Sequence, residues 1–225
     1  MNFEIVCPNC GALSSPAVGV CPYCKSAMTT ETEKHNPTLA TIKKLYNDGQ
    51  TDRALVMAKS IETQKPELLK DVDFAILYAK ILFEVDGPSS KTRAVLGQAF
   101  SEHPANPHLA EYMEVVEAET NLSHEKSDAG AQELAQIIRR SPENVYALFF
   151  LGSHLYWVEK DSQQALRYLE RCVRLRPNFV RAKACLAVVY KELGMRDAAA
   201  RLLNDCATKT FGSTRQFFQN FAQSA

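Results

Sequence analysis

The chain has 225 residues, and its 26 basic and 26 acidic side chains give a formal net charge of zero at neutral pH. That balance argues against nucleic-acid binding over the whole surface, although a local basic patch is compatible with it. The length is enough for a sizeable core. No apolar run reaches the roughly 18 residues of a membrane-spanning helix, so the composition predicts an ordinary globular protein.

Four cysteines near the N-terminus form two Cys-x-x-Cys pairs with ten residues between them: Cys7, Cys10, Cys21 and Cys24. This spacing is typical of a zinc ribbon, in which two tight turns direct four thiolates at one ion. Serine, proline and glycine residues in the intervening segment suit a small hairpin between the turns. A four-cysteine site has no open coordination position, so we expect one structural Zn²⁺ rather than a catalytic one.

Disulfides and a redox motif are the alternatives for these cysteines. Disulfides would require an oxidising compartment, and the start of the chain, Met1 to Val6, lacks the features of a secretory signal. A redox Cys-x-x-Cys usually opens a helix in a βαβ unit, and the sequence predicts no such unit here. We therefore predict a cytoplasmic protein with a zinc ribbon over residues 1–28, followed by a polar linker over residues 29–37.

From residue 38 onward the sequence predicts helix after helix, with an internal repeat. Ala165, Leu169 and Cys172 recur 34 residues later, and a related triad stands 35 residues earlier. These related positions are Ala199, Leu203 and Cys206, and Gly130, Leu134 and Ile137. Prolines close successive units at positions 66, 104, 142 and 177. A period of this length indicates stacked helical hairpins, because one hairpin cannot bury its apolar face alone.

The small, large and medium apolar triad with its terminal proline resembles the tetratricopeptide repeat (TPR), a helix–turn–helix unit of 34 residues. The resemblance covers about four-fifths of the chain. It implies an all-α, TPR-type α-solenoid of about five helical hairpins over residues 38–212, with a C-terminal capping helix over residues 213–225. Two departures stand out: Thr92 occupies the usual alanine of the second unit, and the connection 121–128 of the third unit is longer than the family's turn.

The resemblance also implies that the first helix of each unit lines a concave face able to hold a partner's helix or extended peptide. We expect the binding residues in the last two units: Tyr146, Phe149, Ser153, Tyr156, Trp157, Arg181 and Lys191. Aromatic side chains beside arginine often carry interface binding energy. For each single aromatic residue the alternative is packing in the core.

Charge is unevenly distributed, with an acidic stretch over residues 102–133 and a basic one over residues 160–201. These stretches can be solvated helix faces, or the basic end can accept an acidic segment of a partner. The alternative partner is a nucleic acid, bound by the ribbon and the basic repeats. That alternative is weaker because Lys25 is the only basic residue within residues 1–28.

The sequence offers no constellation of catalytic residues. We expect Cys172, Cys185 and Cys206 to be buried and unreactive, because they fall on apolar helix positions. Phosphate-binding loops, nucleophile elbows and His-Glu-x-x-His motifs are absent. The predicted function is that of a non-catalytic adaptor without a small-molecule substrate. Its groove would bind a protein, and its zinc ribbon would supply a second contact.

Overall fold

The computed structural model describes residues 5–6, 13–14, 38–87, 89–122, 127–210 and 212–223. Near the N-terminus, strands β1 (Ile5–Val6) and β2 (Leu13–Ser14) pair antiparallel. This pairing joins the segments on either side of the first cysteine pair, whereas the sequence suggested a hairpin between the two pairs. All four predicted zinc ligands and the predicted linker lie outside the described residues.

Eleven α-helices follow in the described part of the chain. They are α1 (Leu39–Asn47), α2 (Thr51–Gln64), α3 (Val72–Val85), α4 (Ser90–Glu102), α5 (Pro107–Leu122), α6 (Ser127–Arg140), α7 (Val145–Trp157), α8 (Ser162–Leu175), α9 (Val180–Glu192), α10 (Arg196–Lys209) and α11 (Gly212–Gln223). Consecutive helices pack as five hairpins, from α1–α2 to α9–α10, and α11 packs against α10. The prediction of a solenoid of about five helical hairpins is confirmed.

Local sequence signals explain where these helices begin and end. Side-chain oxygens of Thr38, Asp71, Ser89, Asn144 and Asp161 accept hydrogen bonds from backbone N–H groups in the first turns of α1, α3, α4, α7 and α8. The four periodic prolines each stand two residues after the last residue of α2, α4, α6 or α8. A proline there cannot continue the helix and restricts the residue before it.

The repeated triad forms the contact within each hairpin. Its members lie on the second helix and are buried in all five hairpins: Ala54, Ala58 and Ile61; Thr92, Leu96 and Ala99; Gly130, Leu134 and Ile137; Ala165, Leu169 and Cys172; Ala199, Leu203 and Cys206. The small first member lets the two helices approach closely. At Gly130, an added Cβ would lie only 2.5 Å from the carbonyl oxygen of Ala118 on α5.

The third hairpin departs from the others in the way the sequence suggested, but for a different reason. Helix α5 has 16 residues, more than any other first helix, and continues to Leu122. Helix α6 then begins at Ser127. The predicted long connection 121–128 is therefore helical at both of its ends, and the extra length belongs to α5.

Candidate functional site

The solenoid curves until its first two hairpins meet its last two, and a buried polar cluster holds them together. Glu84, at the end of α3, has a side chain that is only 2% exposed. Its Oε1 accepts hydrogen bonds from Arg176 Nε at 2.9 Å and from the Tyr46 hydroxyl at 2.6 Å. The Tyr46 and Tyr146 hydroxyl oxygens lie 2.7 Å apart. We call Tyr46, Glu84, Tyr146 and Arg176 the clasp.

Burial and neighbouring charges shift the pKa values of the arginine and the two tyrosines of the clasp. Burial is the largest single influence on Arg176 and opposes its charge, but the field and hydrogen bond of Glu84 and the fields of Tyr46 and Tyr146 together outweigh it and raise the pKa of the guanidinium. Burial, followed by the field of neighbouring groups, raises the pKa of both Tyr46 and Tyr146 well above the usual phenol range. Both hydroxyls therefore stay neutral and able to donate to the carboxylate.

The segment from α8 to α9 also binds the C-terminal ends of α1 and α3. The bonds run from Arg176 Nη2 to the Tyr46 carbonyl (2.7 Å), from Asn178 Nδ2 to the Asn47 carbonyl (3.0 Å) and from Arg181 Nη1 to the Phe83 carbonyl (2.9 Å). Carbonyl groups at helix C-termini lack intrahelical partners and favour cations and donors. The guanidinium of Arg176 also lies 3.8 Å from the centroid of the Tyr46 ring.

Tyr146 is therefore not on a binding surface, and this prediction needs correction. Its side chain is 1% exposed. Its ring centroid lies 4.8 Å from that of Phe83 and 5.9 Å from that of Phe179. Its hydroxyl oxygen lies 2.7 Å from that of Tyr46 on α1. Helices α1 and α3 of the first two hairpins therefore cover Tyr146.

Beyond the clasp, the concave face opens into a cavity of about 680 Å³ between α7, α9 and α11, and Glu119 and Leu122 of α5 also line it. Its walls are mainly apolar and aromatic, and we call it the α7–α9–α11 cavity. Four of the predicted binding residues line it: Phe149, Ser153, Trp157 and Arg181. Trp157 is 55% exposed, whereas Phe149 is 5% exposed and packs its ring 4.8 Å from that of Phe179.

The other two predicted binding residues lie beside the cavity. The Tyr156 hydroxyl bonds Glu192, and burial together with this bond raises the pKa of Tyr156 to about 12. Tyr156 therefore links α7 to α9. The ammonium of Lys191 lies 5.2 Å from the centroid of the Phe221 ring, so Lys191 contacts α11.

Sequence reasoning missed the contribution of α11 to this site. It predicted a helix that covers the last hairpin, and the helix does pack there. The same helix also supplies the aromatic residues Phe217, Phe218 and Phe221 to the cavity wall. Phe217 is 60% exposed. The signal that could have revealed this role is three phenylalanines at helical spacing in a segment assigned only to capping.

Three cations of the basic stretch over residues 160–201 are engaged within the fold. Arg176 belongs to the clasp, and Lys183 forms an ion pair with Asp205. Arg181 is half-buried beside the cavity. These three cations are therefore not available to bind a nucleic acid along the last repeats.

The three cysteines of the repeats are free and buried, as predicted. Burial raises the pKa of the Cys172 and Cys185 thiols, and it raises that of Cys206 to about 12. These thiols therefore stay protonated and weakly nucleophilic. Across the described residues, no group of three or more potential metal ligands comes together.

None of the described helices combines the length and the apolar character needed to cross a bilayer.

No protein-family model and no curated protein sequence matches the chain. Among solved structures it is similar to a crystal structure of MamA, with 18% identity, 76% of this chain and 88% of that chain covered, and a TM-score of 0.38. It is also similar to TTC0263, a thermophilic TPR protein of Thermus thermophilus. That match has 14% identity, covers 83% of this chain and 97% of that chain, and has a TM-score of 0.49. The helical-repeat assignment rests on the hairpins of this chain itself.

Proposed function

We propose that this chain is a non-catalytic scaffold that binds a segment of a partner protein in the α7–α9–α11 cavity. The observation that carries the proposal is the exposure of Trp157 and Phe217 at an apolar cavity of about 680 Å³. A cavity of this size with aromatic walls suits several bulky side chains of a ligand. Exposed aromatic residues around a pocket are typical of surfaces that bind other proteins.

The position of the cavity within the solenoid also supports this proposal. The clasp fills one part of the concave face, so a partner reaches the remaining part without displacing buried charges. Helices α7, α9 and α11 hold the cavity walls, and each of them packs against a second helix. A rigid wall of this kind lowers the ordering cost of binding.

We further propose that the N-terminal module binds one structural Zn²⁺ through Cys7, Cys10, Cys21 and Cys24. The donor set of four thiolates suits zinc, which would stabilise a segment too short to bury a core of its own. The pairing of β1 with β2 supports the proposal, because it places the first cysteine pair in the connection between two strands. The module would then offer a second contact surface, and the cytoplasmic location stays a prediction.

The binding proposal is tested by affinity capture from a nuclease-treated lysate, with the full chain as bait and mass spectrometry as the readout. The variant is Trp157→Ala/Phe217→Ala, since both side chains are exposed and neither belongs to the core. The matched control is Met195→Ala, which removes a side chain that is 43% exposed and lies outside the cavity.

We expect a protein that wild type and Met195→Ala retain and that the double variant loses, with all three chains melting at similar temperatures. If the same proteins remain bound to the double variant, the cavity is not the binding site. If only nucleic acid is retained, and only without nuclease, the scaffold proposal is wrong and the nucleic-acid alternative replaces it.

The zinc proposal is tested by measuring metal content together with limited proteolysis. We expect one zinc ion per chain, lost in Cys24→Ser, with residues 1–28 becoming sensitive to protease while the helical circular dichroism remains. Cys185→Ser is the matched control, because this cysteine lies on α9 and should leave the zinc content unchanged. Full zinc content in Cys24→Ser, or collapse of the whole chain, would contradict the proposal.

A further inference from the structure

Arg181 occupies a distinctive place at the junction of two cavities. Its side chain lines the α7–α9–α11 cavity and also a second cavity of about 500 Å³ that reaches the loop between α1 and α2. Nη1 donates to the Phe83 carbonyl at 2.9 Å, and the guanidinium lies 5.4 Å from the centroid of the Phe149 ring. Gly87 makes room for it, because a Cβ there would lie 3.1 Å from Nη1.

Arg181 differs from two neighbouring buried cations in how its charge is balanced. Arg176 is paired with Glu84, and Lys183 is paired with Asp205. Among the described residues, Arg181 forms no ion pair. Burial lowers the pKa of its guanidinium, and the fields of Glu119, which lines the same cavity, and of Asp86 offset this only in part. Keeping a desolvated charge without a counterion costs free energy, which a bound anion would recover.

We infer that the partner segment is an acidic–apolar peptide whose carboxylate pairs with Arg181 while its bulky apolar side chains fill the α7–α9–α11 cavity. This inference rests on the proposed function. An arginine guanidinium offers a planar fork that matches a carboxylate with two parallel hydrogen bonds. Only one nitrogen of Arg181 is engaged by the protein in the described structure, which leaves donors for a ligand.

The apolar walls determine the rest of the ligand. Phe150, Trp157, Val188 and Phe217 line the same cavity as Arg181. A small free anion would pair with the guanidinium but would leave these side chains in water. A peptide with large apolar residues next to its acid satisfies both requirements, because burial of apolar area supplies affinity and the ion pair fixes the register.

The experiment selects peptides from a random peptide library on the immobilised full chain. Enriched peptides are then resynthesised in pairs that differ only by Asp→Asn or Glu→Gln. Trp157 is the single tryptophan of the chain and lines the cavity, so its fluorescence reports binding. Amidation of the peptide C-terminus distinguishes a terminal carboxylate from a side-chain carboxylate.

We expect the enriched peptides to carry an acid beside bulky apolar residues, and the amide twins to bind roughly tenfold to a hundredfold more weakly. Arg181→Gln should weaken the acidic peptide to the level of its twin, and Arg181→Lys should restore part of the difference. Arg174→Gln, a matched change at an exposed residue of α8 outside the cavity, should have no effect. Thermal melts establish that each variant is folded.

The outcomes separate the two proposals. Peptides that change Trp157 fluorescence but lack an acid, or bind Arg181→Gln as tightly as wild type, overturn the role of Arg181 and leave the scaffold proposal standing. If no peptide is enriched on wild type over the Trp157→Ala/Phe217→Ala variant, both proposals fail.

Discussion

The two parts of the concave face use similar aromatic residues in opposite ways. At the clasp, the rings of Phe83 and Tyr146 are buried against each other. The hydroxyls of Tyr46 and Tyr146 donate hydrogen bonds to the Glu84 carboxylate. At the α7–α9–α11 cavity, Trp157 and Phe217 stand exposed, and no described segment of the chain covers them. The aromatic residues of the first part are covered within this chain, whereas the second part leaves apolar side chains exposed.

The difference teaches that an inward-facing position in a helical repeat does not by itself define a binding residue. Whether the position is free depends on how far the solenoid closes. Here a charged pair, Glu84 with Arg176, fixes that closure. Buried ion pairs often add little net stability but demand one geometry, because a displaced partner leaves an uncompensated charge. The clasp thus determines how much of the groove stays open.

The largest loss of stability is expected when the Glu84 carboxylate of the clasp is removed. Glu84→Gln leaves Arg176 buried without a counterion, and we expect a loss of about 3 kcal/mol or more in the free energy of unfolding. Urea denaturation measures it, with Glu67→Gln, an exposed glutamate, as the matched control. A loss below about 1 kcal/mol would mean that the clasp is not a structural element. Glu84→Leu/Arg176→Met should lose less stability than Glu84→Gln, since it removes both charges. It still carries a cost, because the buried Tyr46 hydroxyl loses its acceptor.

A smaller loss of stability is expected from a substitution on α7, the helix that contributes residues to both the clasp and the cavity. On α7, a Cβ at Gly152 would lie 2.9 Å from Leu169 Cγ, and Leu169 is fully buried. Gly152→Ala should therefore destabilise by about 1–3 kcal/mol through overpacking. Gly97→Ala is the control on α4, where an added Cβ meets nothing within 4 Å, and should stabilise by about 0.5–1 kcal/mol. Equal effects of the two changes would argue against close packing of α7 on α8.

Alkaline pH should lower the stability of the fold, and the two tyrosines of the clasp contribute to that loss. The pKa values of Tyr46 and Tyr146 are raised in the folded chain, mainly by burial. Unfolded tyrosines ionise near pH 10, so the folded state binds more protons above that pH. Stability is therefore fully present below about pH 10 and falls above it, by roughly 1.4 kcal/mol per tyrosine at pH 11. Urea denaturation at pH 8 and pH 11 measures this fall.

Tyr46→Phe/Tyr146→Phe supplies the comparison for that pH series. The double variant loses hydrogen bonds and should be less stable at pH 8, but its stability should fall less between the two pH values. If the fall is as steep as in wild type, the pH effect originates outside the clasp.

The smallest effect on stability is expected at the cavity. Trp157→Ala removes an exposed side chain, so the free energy of unfolding should change by no more than about 0.5 kcal/mol. Phe149→Ala, which removes a buried ring from the same wall, should cost about 3 kcal/mol or more. Thermal melts compare them directly. A large loss in Trp157→Ala would show that this residue is part of the core.

The sequence predicted the hairpins well because their signals are local. The triad period located the second helices, and the terminal prolines located their ends. Thr92, the departure in the second unit, is tolerated at the buried position because its hydroxyl lies 3.4 Å from that of Ser89. A short-range hydrogen bond of this kind compensates the burial of a polar group.

The clasp was not predicted because it depends on the curvature summed over several hairpins. Glu84 and Arg176 are 92 residues apart, and no local pattern reports that separation. For the same reason the sequence could not predict that Tyr146 is buried whereas Trp157 is exposed. The ligand role of the N-terminal cysteines stays a prediction based on their spacing.

The long-range hydrogen bonds of this solenoid have a consequence for how the chain folds. In a linear repeat array each unit contacts only its neighbours, so the ends can fray independently. Here Asn178 binds the backbone of Asn47, 131 residues away. Such contacts form only after a long loop has closed, which slows folding. They also couple the termini, so the first and last hairpins should unfold in one cooperative step.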